Sequence, residues 1–245
     1  MFTSCSFLHH ETKSRTLQPK FSPFLDWRLN VTFWLSQYIY LENFKLMLVA
    51  FDQKFAFLAM ARCASTSIEA ALAPHCDIVC SGASKSKHAP FSVFKRYFAP
   101  YAALRAGAPI QTVCLFREPV SWLHSWYAYR QRPALIGHKN STRGLSFEEF
   151  ISAYVLEHPP SFADIGNQTD FVHDHSGKVG VDTIFRFDAI GAFQNHIRDI
   201  FLKPFEFAHL NKAPAADVAL SASGRAAVER KLSRAFEIYE GAISG

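Results

Sequence analysis

A chain of 245 residues with 49% hydrophobic and 15% aromatic side chains can build one α/β domain around a substantial core. Its 26 basic residues exceed 21 acidic ones, a formal charge of +5 that suits an anionic ligand but is too diffuse to mark a nucleic-acid-binding surface. Five cysteines form no paired secretory framework, no apolar run nears the roughly 20 residues of a membrane span, and no cationic segment precedes a long apolar one, so the expectation is a reducing, cytoplasmic setting.

Residues 1–45 mix Cys, His, Ser, Thr and Lys with aromatics and hold neither the helix nor the strand period until about Leu29–Phe44, so they read as an appendage to a domain over 46–245. Met47 opens the cleaner pattern and is a candidate true start. The sequons at Asn30, Asn140 and Asn167 would matter only in a secreted chain.

Leu46–Phe51 and Phe55–Met60 flank Asp52-Gln53-Lys54 and predict a hairpin whose second strand is central. The segment Phe55–Ala73 then reads as strand, turn and helix: six mostly apolar residues, one cation (Arg62) among small residues, and Ser65, Thr66 and Ser67 opening a helix that Pro74 stops. A helix start presents unpaired amides and the positive end of the macrodipole, so such a turn is a seat for phosphate or sulfate. Ser81–His88 is a small, polar, basic loop in which Lys85 and Lys87 either guide anions or solvate the loop. Pro90 sits at a first-turn position of a helix marked by Phe91, Phe94, Tyr97 and Phe98.

Gln111–Phe116 is a second apolar strand that also ends on a cation, Arg117, and Pro119 starts a helix to about Arg130 with Trp122, Trp126 and Tyr129 on a stripe that reads as core. Ligands of parallel α/β sheets sit at the carboxyl ends of the strands, so Arg62 and Arg117 can meet one molecule there. Gln131–Gly144 is polar and basic and reads as a mobile connection. Ser146-Phe-Glu-Glu149 is a capping box for a helix to about Glu157, Val181–Phe187 a strand, Asp188 a cap for a helix Ala189–Phe201, and Phe205–Leu210 a last strand. One long amphipathic helix follows from Ser221 or Ser223 through Tyr239.

The first turn lacks the glycines and lysine of a nucleoside-triphosphatase loop, and Cys63 lacks the downstream arginine of a cysteine phosphatase. His173-Asp174-His175, and His75 and Cys76 with Cys80, lack third and fourth metal ligands. Arg62-Cys63-Ala64-Ser65-Thr66-Ser67 after a strand resembles the phosphosulfate-binding turn of sulfotransferases that use 3'-phosphoadenylyl sulfate (PAPS). Arg117-Glu118-Pro119 with Ser125 is similar to that family's 3'-phosphate motif, and His88-Ala89-Pro90 to its His-x-Pro. The match covers about residues 46–240 and implies a P-loop-like fold with a parallel central sheet flanked by helices.

The resemblance also implies roles. Ala64, Ser65, Thr66 and Ser67 would hold the 5'-phosphosulfate, Arg62 would stabilise the leaving oxygen, Arg117 and Ser125 would grip the 3'-phosphate, and His88 would act as general base. PAPS would be the co-substrate, no metal would be needed, and the acceptor would be a glycan or other small polyhydroxylated molecule. Leu210-Asn211-Lys212 looks closer to the carbohydrate-type branch, since the Arg-Lys-Gly loop of the small-molecule branch is missing. Phe185-Arg186-Phe187-Asp188 falls where that family places adenine contacts, with a poor match. A glycine-free first turn keeps open an inactive nucleotide-binding or interaction module on the same fold, and a small-molecule kinase is a separate alternative.

Overall fold

The computed structural model describes residues 47–80, 88–207 and 220–244. The appendage over 1–45, Lys85 and Lys87 of the basic loop, and Leu210-Asn211-Lys212 lie outside them. A hairpin opens the domain: β1 (Met47–Ala50) and β2 (Phe55–Leu58) pair antiparallel, with Lys54 N–H closing on the Phe51 carbonyl at 3.0 Å. Helix α1 (Ser65–Leu72) follows the first turn, and Pro74 lies in a short 3-10 turn, Ala73–His75, beyond its end.

Strand β3 (Ile78–Cys80) pairs antiparallel with β1 at the sheet edge; three half-exposed residues carry too little pattern for the sequence to announce it. Pro90 is the N-cap of α2 (Phe91–Val93), one residue earlier than its spacing suggests. A π-turn, Phe94–Phe98, joins α2 to α3 (Ala99–Ala106). Pro100 has no N–H for the ordinary ladder, and the Ala99 amide reaches back five residues to the Phe94 carbonyl.

Strand β4 (Gln111–Phe116) runs parallel to β2, and β5 (Thr183–Arg186) parallel to β4. The sheet order is β3-β1-β2-β4-β5. The sheet is therefore mixed, correcting the expectation of a parallel one: a four-residue connection such as Phe51–Lys54 can join only antiparallel neighbours, because a parallel pair needs a crossover. Its parallel part, β2, β4 and β5, is the half that carries the candidate residues. Strands β2 and most of β4 are buried on both sides, as unbroken apolar runs require.

Between β4 and β5 lie α4 (Pro119–Arg130), α5 (Phe147–Tyr154), opened by the expected capping box at Ser146 and Glu149, and α6 (Gln168–Val172). Helix α5 ends at Tyr154, short of Glu157. The basic connection is pinned rather than loose: Thr142 is fully buried, its hydroxyl donates to the Tyr127 carbonyl at 2.8 Å and its amide to the Arg130 carbonyl at 3.2 Å. Helix α7 (Ile190–Phe201) packs on the sheet, Phe193 against Phe57 and Phe185 at ring separations of 5.6 and 5.8 Å. Asp188 does not cap α7; it accepts from the Tyr239 hydroxyl at 2.8 Å. Phe205–Phe207 form no strand. The last helix is two, α8 (Ala222–Lys231, capped by Ser221) and α9 (Ser233–Gly241), separated at Leu232. Among the described residues no helix is long and apolar enough to cross a membrane, and no group of three His, Cys, Asp or Glu could hold a metal ion.

Candidate anion-binding site

The turn after β2 has an unusual backbone. Arg62 and Ala64 both adopt left-handed conformations, at φ of 68° and 54°, without being glycine. Such residues cost about 1–2 kcal/mol each and persist where surroundings dictate them, often at functional sites. Here the surroundings come from the end of β4 and from α4. Trp122 Nε1 donates to the Ala61 carbonyl at 3.1 Å, and Arg117 Nη1 to the Arg62 carbonyl at 3.3 Å. The twist delivers Ser65, Thr66 and Ser67 to the start of α1, whose N-cap is Ala64 with no side-chain cap. The Ser67 and Ile68 amides close on the Ala64 carbonyl at 3.0 and 3.2 Å, while those of Ser65 and Thr66 have no intrahelical acceptor, and Thr66 is exposed beside them.

Along α4, Ser121, Ser125 and Tyr129 recur every four residues on one side, and each holds a guanidinium. Arg117 Nε donates to Ser121 Oγ at 2.8 Å, and Arg62 Nε to Ser125 Oγ at 3.1 Å. The Tyr129 ring carries Arg62 at 4.6 Å and Arg132 at 3.5 Å. Arg62 and Arg117, arriving from the carboxyl ends of β2 and β4, thus converge on one helix. Ser125, expected beside Arg117 on a 3'-phosphate, holds Arg62 here, and Ser121 holds Arg117.

Arg117 is only 7% exposed. Its main chain is clamped by the Gln168 side chain, which accepts from its N–H at 3.1 Å and donates to its carbonyl at 3.0 Å, and the Phe187 ring lies 4.8 Å from its guanidinium. Burial lowers the Arg117 pKa, with Cys63 and Glu118 opposing. Burial also lowers the Arg62 pKa, Tyr129 opposing and Arg117 and Arg132 adding to the effect. Among the described residues no carboxylate forms an ion pair with any of these three arginines. Arg62 and Arg117 are desolvated and repel one another, with the exposed Arg132 adding to the repulsion on Arg62, and an anion placed among them would offset that cost.

Burial pushes the Cys63 thiol up to about 12 despite Arg117 and Arg62 nearby, so at neutral pH it is no nucleophile. His88 reaches the end of β2, where its Nδ1 meets the Ala59 carbonyl. A carbonyl can only accept, so in the neutral ring Nδ1 holds the proton and Nε2 the lone pair. Glu118 caps α4 by accepting from the Ser121 amide at 2.6 Å, so that helix start is already taken by a carboxylate.

Sequence reasoning missed Ser121, Arg132 and Gln168, and it read Tyr129 as core where the ring is half-buried and carries two guanidiniums. Ser121 and Tyr129 carried a usable signal, the four-residue spacing on either side of Ser125. Gln168 carried none, because its partner lies 51 residues away. A separate cavity of about 420 Å³ lies between the amino-terminal part of β5 and α9, lined by Val181, Asp182, Ile238 and Ile243 among others, away from the strand ends that bear the arginines. No family model, curated protein or solved structure matches this chain.

Proposed function

We propose that the protein transfers a sulfuryl group from PAPS to a hydroxyl, with a glycan or other polyhydroxylated acceptor favoured. The observation that carries this reading is the convergence of Arg62 and Arg117 on α4 beside the uncapped start of α1. Two anion grips joined through one carbonyl suit a single ligand with phosphates at both ends, which a simple phosphate site would not need. A P-loop-like assignment for the β2–α1 turn belongs to the same proposal.

The co-substrate would supply an activated sulfuryl group bonded to its 5'-phosphate. The α1 amides, with Ser65, Thr66 and Ser67 and the main chain at Ala64, would hold that phosphosulfate. Arg117 would bind the 3'-phosphate, and Ser125 would steer Arg62 toward the leaving oxygen rather than contact the 3'-phosphate itself. His88 Nε2 would take the proton from the acceptor hydroxyl as its oxygen bonds to sulfur and the sulfur–phosphate oxygen bond breaks, the electron pair leaving with adenosine 3',5'-bisphosphate. Positioned base catalysis of this kind contributes about 10²–10⁴-fold. Arg62 stays cationic throughout, so it offsets the charge of the departing phosphate without giving up a proton.

A non-catalytic nucleotide-binding module is favoured by one observation: in this conformation Arg62 is already engaged by Ser125 and Tyr129. Labelled sulfate supplied as PAPS with a panel of sugar acceptors separates the two. Transfer that disappears in His88→Ala while nucleotide binding persists supports the transferase; nucleotide binding with no transfer to any acceptor leaves the module.

A further inference from the structure

The chain has no Asp or Glu between Glu118 and Glu148, a stretch that contains Arg130, Arg132, Lys139 and Arg143. Much of the formal charge of +5 is therefore concentrated on α4 and the connection after it. Arg130 is buried and spent on structure, its guanidinium donating to the Ser161 and Asp164 carbonyls at 2.7 and 3.1 Å. Arg132, Lys139 and Arg143 are exposed, and none forms an ion pair among the described residues.

Arg132 alone of these exposed cations is fixed at the candidate centre. Its Nε donates to the Tyr129 carbonyl at 3.2 Å, and its guanidinium lies 3.5 Å from the centre of the Tyr129 ring that also carries Arg62. The two guanidinium carbons can be no further apart than those two ring distances laid end to end. The loop behind it is held by Thr142 and by Arg143 Nε, which donates to the Gln131 carbonyl at 3.0 Å. Placing two like charges on one ring costs repulsion unless an anion sits against them. Arg62 is taken by the co-substrate on the reading above, which leaves Arg132 facing whatever approaches from solvent.

We propose that Arg132 selects the acceptor: it binds an anionic group, carboxylate or sulfate, of an acidic glycan whose hydroxyl is presented beside Arg62. This rests on the transferase reading. The Tyr129 ring sets the spacing between the transferring group and the anion, so the anion lies on the reacting sugar or the one next to it. A planar fork suits a bidentate carboxylate or sulfate better than a neutral sugar.

The test uses the full chain, PAPS, and two acceptors that differ only in charge, a glucuronate-containing disaccharide and its uncharged methyl ester. In the wild type kcat/KM is expected to favour the acid by about tenfold or more, the size of one charge-assisted contact. In Arg132→Gln the ratio collapses toward one; Arg132→Lys keeps part of it, and Lys139→Gln changes it by about twofold at most, as a solvated charge would. A wild-type ratio near one overturns the proposal, and so does an equal loss in Arg132→Gln and Lys139→Gln, which would mean a diffuse field. Calorimetry with adenosine 3',5'-bisphosphate reports separately on the transferase reading. If that ligand produces no heat, the same calorimeter compares the disaccharide and its ester directly: preference for the acid that Arg132→Gln removes keeps the anion site, and equal heats remove it.

Discussion

The two strand-to-helix turns of the parallel half are built from similar sequence and do different things. The turn after β2 twists through left-handed Arg62 and Ala64, leaves α1 without a side-chain cap, and exposes Thr66. The turn after β4 is extended, caps α4 with Glu118, and buries Arg117 under Phe187 and between Ser121 and the Arg62 carbonyl. One turn keeps donors open; the other uses its cation and Trp122 to hold the first in shape. The same strand, cation and helix pattern can therefore yield an open turn or a brace, and the capping residue separates them: a small residue at 64 offers the first amides no side-chain acceptor, a carboxylate at 118 takes the Ser121 amide.

If Arg117 is both brace and grip, Arg117→Ala has the largest effect. It should weaken binding of adenosine 3',5'-bisphosphate by about 100-fold and lower stability by about 2–3 kcal/mol, as loss of charge-assisted bonds in a buried setting does. Calorimetry and denaturant unfolding read the two separately. Loss of stability with affinity intact would make Arg117 a brace only.

Trp122→Phe sharpens the comparison from the helix side. It deletes the N–H that holds the Ala61 carbonyl and shrinks a buried ring, and should cost about 2–3 kcal/mol in a denaturant titration, about 1 kcal/mol of it from the hydrogen bond. No change would mean that the first turn holds its own conformation.

Ala64→Gly tests the strain in that turn. Glycine adopts positive φ freely but loses more entropy on folding, so a net gain of about 0.5–1 kcal/mol in unfolding free energy is expected. A loss would show that the left-handed backbone is not strained.

Away from both turns, His196 has a buried Nε2 with no partner and its ring 5.1 Å from Phe185. Burial lowers its pKa from 6.5, with Asp199 opposing, and burial with Arg117 lowers that of His124. The folded state thus favours neutral imidazoles. Their contribution is intact above the unfolded value of 6.5 and is lost as pH falls below it, because the unfolded chain takes up the protons first. The melting temperature should drop as pH falls below about 6.5, less steeply in His196→Phe, the smallest effect of the four. Identical slopes would remove His196 from the account.

Those elements whose causes are local were legible in the sequence. Phe51–Lys54 made a hairpin, Pro119 opened α4, and the Ser146 and Glu149 pair opened α5, each through contacts within a few residues. Strand β3 exists because β1 offers it an edge, and Phe205–Phe207 fail to be a strand despite their aromatics, because neighbours and not propensity decide. The site divides in the same way. Arg62, Arg117 and Ser125 stood at strand ends and helix spacing and could be read. The pairing of Ser121 with Arg117 and of Ser125 with Arg62, the Gln168 clamp and the Tyr129 ring shared by two arginines depend on contacts made only after folding.

The central claim is that the two turns form one seat for a molecule with phosphates at both ends. Calorimetry of the wild-type chain against adenosine 3',5'-bisphosphate and against ATP tests it directly. The account predicts tighter binding of the bisphosphate, abolished together with the 3'-phosphate when adenosine 5'-phosphate replaces it; tighter binding of ATP, or of neither nucleotide, would contradict it.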